Sequence, residues 1–103
     1  MENTEWKPDE SLRRIVCAAC WFSYPDGHPD VLVLGPRHWD NTMRSQYENQ
    51  EIEIPYSLFK QGFIDNFGKL HSREDALVIA RRMNQVVREL DYDTDKLYSE
   101  MLY

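Results

Sequence analysis

Apolar residues recur every three or four positions over the last third of the chain, from Ala76 to Leu90. This spacing places them along one face of an α-helix, so it predicts a long amphipathic C-terminal helix. Ser72 stands before the pattern, and Asp75 follows Ser72 by three residues, as in a capping box. The helix is therefore predicted to begin at Ser72.

A shorter helix is predicted in the middle of the chain, in the polar segment 39–49. Trp39, Met43 and Tyr47 stand four positions apart there. One face of a helix would carry all three side chains toward the core.

The other apolar positions are typical of β-strands. Two apolar runs separated by Pro, Asp and Gly residues predict an antiparallel hairpin. Two shorter runs flank Asn66-Phe67-Gly68, where glycine permits a tight turn. An alternating charged and apolar run that ends at Pro55 is typical of an edge strand. The predicted strands lie in residues 13–24, 31–34, 51–55, 63–65 and 69–71.

These elements predict an α+β fold, with an antiparallel β-sheet built of hairpins, a short middle helix and a long C-terminal amphipathic helix. Residues 1–12 are interpreted as a polar N-terminal arm, and residues 13–103 as a single domain. A turn is predicted at 91–95. The segment after it contains Leu97 and Met101, so we expect it to dock on the core or on a second subunit.

Charge and composition narrow the class of protein. The formal net charge of -6 disfavours binding of nucleic acid polymers, because such proteins need clustered Lys and Arg. Binding of a small anionic ligand is compatible with this net charge, since charges farther from the ligand than a Debye length of about 8–10 Å are screened. Aromatic residues make up 13% of a small domain. We therefore expect some of them to line a pocket or a homo-oligomer interface.

The chain shows no sign of a membrane segment. No apolar run reaches about 18 residues, and the N-terminus is acidic rather than basic and then apolar. A cytoplasmic location is therefore predicted.

The two cysteines, Cys17 and Cys20, have the spacing of a C-x-x-C motif but lie in a predicted strand. Side chains three positions apart in a strand point to opposite faces, so the pair is not expected to share a metal ion or a disulfide. A redox motif would also need a helix N-terminus to lower the thiol pKa. We predict two buried structural thiols.

Arg37 and His38 follow Gly35-Pro36 at the predicted start of the middle helix. The N–H groups at a helix N-terminus favour anions, and both side chains would add donors for a phosphate. The alternative is that His38 or Asp40 caps the helix and that Arg37 is solvated.

Arg73 and Asn84 lie eleven positions apart on the predicted long helix. At about 100° per residue this step returns to within about 20° of its start. Both side chains would then lie beside the apolar face, where pocket walls form. The alternative is that Arg73 pairs with a nearby carboxylate and that Asn84 is ordinary helix surface.

Gln61 and Asn66 flank the second hairpin, with Phe63 and Phe67 between them. Aromatic faces stack on nucleobases and amides read base edges, so this group suits a nucleotide, although Phe63 is also a natural core residue. The chain contains no nucleophile elbow, metal-spaced His pair or Gly-rich phosphate loop. We therefore predict no catalytic residue, metal or cofactor, and a hydrolase or lyase using His38 is the least favoured interpretation.

Taken in order and spacing, these motifs resemble a family of small phage-encoded proteins over most of residues 13–103. That family includes anti-Thoeris proteins, which act as sponges for a cyclic ADP-ribose isomer made by a bacterial immune sensor. Some also bind cyclic oligonucleotides, and they form oligomers with ligand near subunit boundaries. The resemblance runs through Gly35-Pro36-Arg37-His38, Gln61-Gly62-Phe63, Gly68-Lys69, Ser72-Arg73-Glu74-Asp75-Ala76, Ile79-Ala80, Asn84-Gln85 and Leu97-Tyr98-Ser99-Glu100-Met101-Leu102-Tyr103.

The resemblance implies a phage anti-defence protein of the host cytoplasm. It would bind and sequester a cyclic nucleotide immune signal, a small anionic ligand, without cleaving it and as a homo-oligomer. The alternative is a small acidic inhibitor that binds a host protein. The predicted ligand contacts are Arg37, His38, Gln61, Phe63, Asn66, Arg73 and Asn84.

Overall fold

The structure is a computed structural model that describes residues 9–25, 27–90 and 95–102. Within these residues one antiparallel four-stranded sheet carries two helices, in keeping with the α+β class. The predicted arm through residue 8 and the turn residues 91–94 lie outside the described residues. The elements are β1 (Ile15–Ser23), β2 (Val31–Gly35), α1 (Asn41–Glu48), β3 (Leu58–Asp65), β4 (Leu70–Ser72) and α2 (Arg73–Arg82).

The sheet has the order β2-β1-β3-β4, and every neighbouring pair is antiparallel. Both predicted hairpins, β1 with β2 and β3 with β4, are confirmed. The predicted edge strand at 51–55 is wrong, because β1 pairs along this side with β3, from Leu58 to Asp65. The backbone N–H of Ser57 continues that ladder by donating to the carbonyl of Ser23 at 2.8 Å.

The predicted long C-terminal helix is also wrong, because α2 ends at Arg82. Asn84 has a φ of 61°, in the left-handed region. Its N–H donates to the carbonyl of Arg81 at 3.1 Å, and the N–H of Gln85 donates to the carbonyl of Ala80 at 2.7 Å. These two bonds form a Schellman motif, which terminates the helix.

A tertiary contact fixes the chain after that motif. The side-chain amide of Gln85 accepts from the N–H of Ile15 at 2.9 Å and donates to its carbonyl at 2.7 Å. This pairing lies at the irregular register of β1 between Ile15 and Cys17. Two apolar residues after the motif still pack partly against the core, which accounts for the helix-like spacing: Val86 and Leu90.

Side chains of the sheet alternate between two faces. On the covered face, strand residues form one buried cluster with α1, α2 and the C-terminal segment. Leu97 and Met101 have no exposed surface, so the prediction that this segment docks is confirmed on the chain's own core. The covered face contains Ala18, Cys20, Phe22, Val31, Val33 and Phe63.

The opposite side of the sheet is called the open face below. By the strand register its central positions are Ala19, Trp21, Leu32, Leu58, Lys60 and Ile64. Cys17 is half-buried on this face, whereas Cys20 is fully buried on the covered face, and both thiols are free. Burial raises the pKa of both thiols. The prediction of a buried thiol is therefore confirmed for Cys20, while Cys17 is only partly buried.

Candidate functional site

Arg73 is the first residue of α2 and joins three parts of the chain. Its guanidinium donates to the carbonyl of Leu97 at 3.0 Å and to the side-chain carbonyl of Gln61 at 2.6 Å. The guanidinium carbon also lies 4.9 Å from the ring centre of Tyr98. Burial lowers the pKa of Arg73, but a guanidinium stays charged at neutral pH.

The position of Arg73 follows from the local sequence. Ser72 caps α2, and its hydroxyl accepts from the N–H of Asp75 at 3.2 Å. This confirms the predicted helix start. Since Ser72 also ends β4, the strand passes directly into the helix and sets Arg73 beside β3.

A cavity of about 390 Å³ opens beside this guanidinium, where the short β4 leaves the first residues of β3 without a strand on that side. Cationic side chains outnumber acidic ones on its wall, so it favours an anion. We call it the cation-lined cavity. Its walls are Trp21, Lys60, Gln61, Ser72, Arg73, Glu74 and Lys96.

A second cavity, of about 290 Å³, lies between the covered face and α1. Its rings are closely packed, with the centroids of Phe22 and Phe59 4.8 Å apart and those of Phe22 and Tyr47 4.5 Å apart. Tyr56 is 49% exposed at its rim. We call it the aromatic cavity. It is lined by Phe22, Trp39, Tyr47, Tyr56, Phe59 and Gln61.

Trp39 enters the aromatic cavity through an unusual backbone conformation. Its φ is 52°, which is uncommon for a bulky residue. For this reason α1 begins at Asn41 rather than at residue 39 as predicted. The backbone N–H of Trp39 lies 3.0 Å from the sulfur of Met43. Strained residues of this kind cluster at ligand-binding positions.

Gln61 lines both cavities and is the only residue common to the two described linings. Its amide oxygen is held by Arg73, which fixes the side chain between the aromatic rings and the cations. Of the seven predicted site residues, the structure thus brings Gln61 and Arg73 into direct contact.

His38 and Phe63 contact each other close to Gln61, on the buried side of β3. The Nε2 of His38 donates to the carbonyl of Gly62 at 2.7 Å, and its ring stands edge-on to Phe63 at 4.9 Å. Burial lowers the pKa of His38. Phe63 has no exposed surface, which fits the core alternative. His38 therefore supports β3 next to Gln61.

Arg37 is half-buried and its backbone N–H donates to Asp40 at 3.1 Å. Asp40 also accepts from the N–H of Met43 at 2.9 Å, so it caps α1. A carboxylate thus occupies the helix N-terminus where an anion was predicted, as the capping alternative proposed. The role of Arg37 as a ligand contact stays a prediction.

Asn66 and Asn84 lie away from the two cavities. The side chain of Asn66 accepts from the N–H of Arg14 at 2.8 Å and donates to the carbonyl of Leu12 at 3.2 Å, so it fixes the entry into β1. Asn84 terminates α2, so it does not align with Arg73 on one helix face. Ligand binding by these two amides stays a prediction without support from their positions.

Most residues of the two cavities were missed by the sequence patterns. Tyr56, Phe59 and Lys60 lay in a predicted connection, and Trp39 and Tyr47 were assigned to a helix face. The signal that pointed to them was the aromatic excess, which predicted a pocket without locating it.

The structure also shows a buried charge cluster that the sequence did not reveal. Asp65 accepts from Arg13 and from the Nε2 of His71, the latter at 2.6 Å.

In the part of the chain that is described, no group of three or more His, Cys, Asp or Glu side chains is placed to hold a metal ion. No described helix has the length and apolar character to span a membrane.

The fold and the two cavities define a small α+β protein with a candidate ligand site. A sequence profile of a family described as phage T4 y16D protein matches residues 14–103. The chain therefore belongs to the phage T4 y16D protein family, and the prediction of a small phage protein family is confirmed. Neither the curated proteins nor the solved structures contain a match to the chain.

Proposed function

We propose that this phage protein binds and sequesters a cyclic nucleotide immune signal in the host cytoplasm without cleaving it. The ligand would be a cyclic ADP-ribose isomer or a cyclic oligonucleotide. The observation that carries the proposal is the position of Gln61 between an aromatic cavity and a cation-lined cavity. A nucleotide has the same two parts, an aromatic base and an anionic phosphate.

The dimensions and chemistry of both cavities support this assignment. Their volumes of about 290 and 390 Å³ are near the lower end of the range of about 300–1,000 Å³ for small-molecule pockets. Stacking on an aromatic side chain contributes about 1–3 kcal/mol per base. Lys60 and Lys96 would hold the phosphates next to the positive charge of Arg73. Gln61, whose amide oxygen accepts from Arg73, would donate its amide N–H groups to the base edge.

Sequestration without chemistry is the function that these groups suit. An enzyme needs positioned acids and bases that act in the transition state, whereas a sponge needs only tight binding of the ground state. The candidate base, His38, uses Nε2 to support the carbonyl of Gly62. The two cavities beside Gln61 carry cations and aromatic rings, which bind without reacting, together with Glu74 and with Ser72, whose hydroxyl caps α2.

The experiment uses the full chain with cyclic ADP-ribose isomers and cyclic dinucleotides. Isothermal titration calorimetry measures binding, and chromatography after heat denaturation measures whether the nucleotide returns intact. Intact recovery supports a sponge, and an altered nucleotide would indicate an enzyme. Absence of binding to every nucleotide would reject the proposal and favour the small acidic inhibitor of a host protein.

A charge reversal locates the site. Lys96→Glu places a carboxylate on the wall of the cation-lined cavity, and Lys69→Glu makes the same change at an exposed lysine outside both cavities. We expect Lys96→Glu to weaken nucleotide binding at least about tenfold, because a charge-assisted hydrogen bond contributes about 1.5 kcal/mol or more. Equal effects of both variants would show only a general charge effect.

A further inference from the structure

The side-chain amide of Gln61 has one defined orientation in the candidate site. Its oxygen lies 2.6 Å from a guanidinium nitrogen of Arg73. A guanidinium carries donors and no acceptor, so the amide atom that faces it must be the oxygen and not the NH₂ group. The NH₂ group of Gln61 has no hydrogen-bond partner within the described residues. Its N–H groups are therefore available to a ligand.

Gln61 stands where the edge of a bound base would meet it. Across the sheet it pairs with Cys20 of the covered face, so its side chain lies on the same face as Phe59. Trp21 and Lys60 reach the cation-lined cavity from the open face, around the edge of β3. Since Gln61 is exposed and lines both cavities, a base stacked in the aromatic cavity would present its edge to the amide.

The fixed orientation excludes the usual way in which an amide side chain reads adenine. Glutamine binds adenine with both amide atoms, accepting from the N6 amino group and donating to N7. In this site Arg73 already donates to the amide oxygen. A base amino group at the same oxygen would also face the positive guanidinium. Gln61 is thus left with donors for the base edge.

The other side chains of the aromatic cavity add no fixed acceptor. The indole N–H of Trp39 is a donor only, and the hydroxyl groups of Tyr47 and Tyr56 can donate or accept. Glu74, a carboxylate acceptor, lines the cation-lined cavity and not the aromatic cavity. The preference for a base therefore depends on Gln61.

We infer that the site selects guanine over adenine, because Gln61 donates to the two adjacent acceptors of the guanine edge. Guanine presents O6 beside N7, and both are acceptors, whereas adenine presents the N6 amino group beside N7. The inference rests on the proposed function and narrows its ligand. It favours a cyclic oligonucleotide that contains guanine over a cyclic ADP-ribose isomer, whose base is adenine.

Isothermal titration calorimetry of the full chain with cyclic di-GMP and cyclic di-AMP tests the inference, because these ligands differ only in the base. We expect cyclic di-GMP to bind at least about fivefold more tightly, which corresponds to the discrimination of about 1 kcal/mol or more that a well-formed base contact provides. Cyclic di-IMP keeps O6 and N7 but lacks the amino group of guanine. It should bind with the affinity of cyclic di-GMP.

Gln61→Glu reverses the character of the group that meets the base. One carboxylate oxygen can still accept from Arg73, while the second oxygen replaces the NH₂ group with an acceptor. The added negative charge weakens binding of both cyclic dinucleotides, so the ratio of their affinities is compared. We expect the preference for cyclic di-GMP to fall at least about fivefold. The matched control is Gln50→Glu, at an exposed position outside both cavities, which should keep the preference.

Circular dichroism establishes that both variants fold, and the cyclic di-IMP titration needs only the wild type. Equal affinities for the three ligands, or tighter binding of any adenine nucleotide, would overturn the inference and leave sequestration in place. An unchanged preference in Gln61→Glu would also overturn it, as would weak binding of cyclic di-IMP, because the amino group of guanine would then be read. Absence of binding to every nucleotide would instead reject the proposed function and the inference together.

Discussion

Replacing Asp65 with asparagine tests the electrostatic cluster that joins the β3–β4 hairpin to the start of β1. One carboxylate oxygen, Oδ1, accepts from the backbone N–H groups of Phe67 at 2.8 Å and Lys69 at 2.9 Å. The other, Oδ2, accepts from Arg13 and from His71. Burial alone would raise the pKa of Asp65, but these donors outweigh it and hold the pKa well below its ordinary value.

The size of the effect follows from the two oxygens. The substituted amide is expected to keep a carbonyl oxygen toward the two backbone N–H groups and to turn its NH₂ group toward the donors of Arg13 and His71. Two charge-assisted bonds of about 1.5–3 kcal/mol each are then lost. The Arg13 and His71 side chains are only 13% and 8% exposed, so water replaces the carboxylate poorly. Removing one partner of a buried ion pair costs about 3–5 kcal/mol.

We therefore expect Asp65→Asn to lower the free energy of unfolding at pH 7 by about 3–4 kcal/mol, measured by urea titration with circular dichroism. The midpoint temperature should fall by roughly 15–25 °C. The control is Asp30→Asn, which removes a carboxylate at an exposed position of the β1–β2 turn and should change stability by no more than about 0.5 kcal/mol.

The same cluster predicts a pH dependence. The folded pKa of Asp65 lies below the unfolded value of about 3.9, so its stabilisation is complete above that value and is lost as the pH falls toward the folded pKa. Below about pH 4 the wild type should therefore lose stability more steeply than Asp65→Asn. A loss of less than about 1 kcal/mol at pH 7, or parallel stability curves below about pH 4, would refute the reasoning.

Three further predictions concern the backbone and the histidine beside the site. In Gly62→Ala, the new Cβ would overlap the backbone oxygen of His71. We expect the free energy of unfolding, measured by urea titration, to fall by about 1–3 kcal/mol or more. The comparison is Gly27→Ala, whose new Cβ meets no atom within 4 Å but whose φ of 73° disfavours alanine, so a loss of about 1–2 kcal/mol is expected there. Asn84→Gly should change the free energy of unfolding by no more than about 0.5 kcal/mol, because glycine suits the left-handed helix terminus. The variant should also keep the nucleotide affinity. A weaker affinity in calorimetry would instead establish Asn84 as a ligand contact. Since burial lowers the folded pKa of His38 below the unfolded value of about 6.5, wild-type stability should fall as the pH drops from about 6.5 toward that folded pKa. In His38→Gln the free energy of unfolding, measured by urea titration, should not show this fall between about pH 7.5 and about pH 5.5. An unchanged fall in the variant would show that another group causes it.

Sequence patterns predicted only part of the candidate site. Arg73 and Gln61 were selected as polar residues next to apolar ones, and the structure places them in contact. Phe59, Tyr56 and Lys96 were not selected. Phe59 reaches the site on the long β3 strand, Tyr56 in the connection before that strand, and Lys96 in the docked C-terminal segment. None of these positions is encoded by a short-range pattern.

The sequence by itself determined the elements that depend on neighbours within a few residues. The start of α2 at the Ser72 cap, the capping of α1 by Asp40 as one of two alternatives, and the turn between β3 and β4 all follow from local hydrogen bonding and side-chain alternation. Such features depend on hydrogen bonds between residues close in the sequence, so a pattern of adjacent residues contains them.

Only the tertiary structure decided where α2 ends and which side of the sheet is covered. The amide of Gln85 binds the backbone of Ile15, a residue 70 positions earlier in the chain, although the apolar spacing favours helix to Leu90. Likewise β3, rather than residues 51–55, pairs with β1. Competing partners far apart in the sequence are chosen by the free energy of the whole packed structure, and the position of Gln61 between two cavities is a result of that choice.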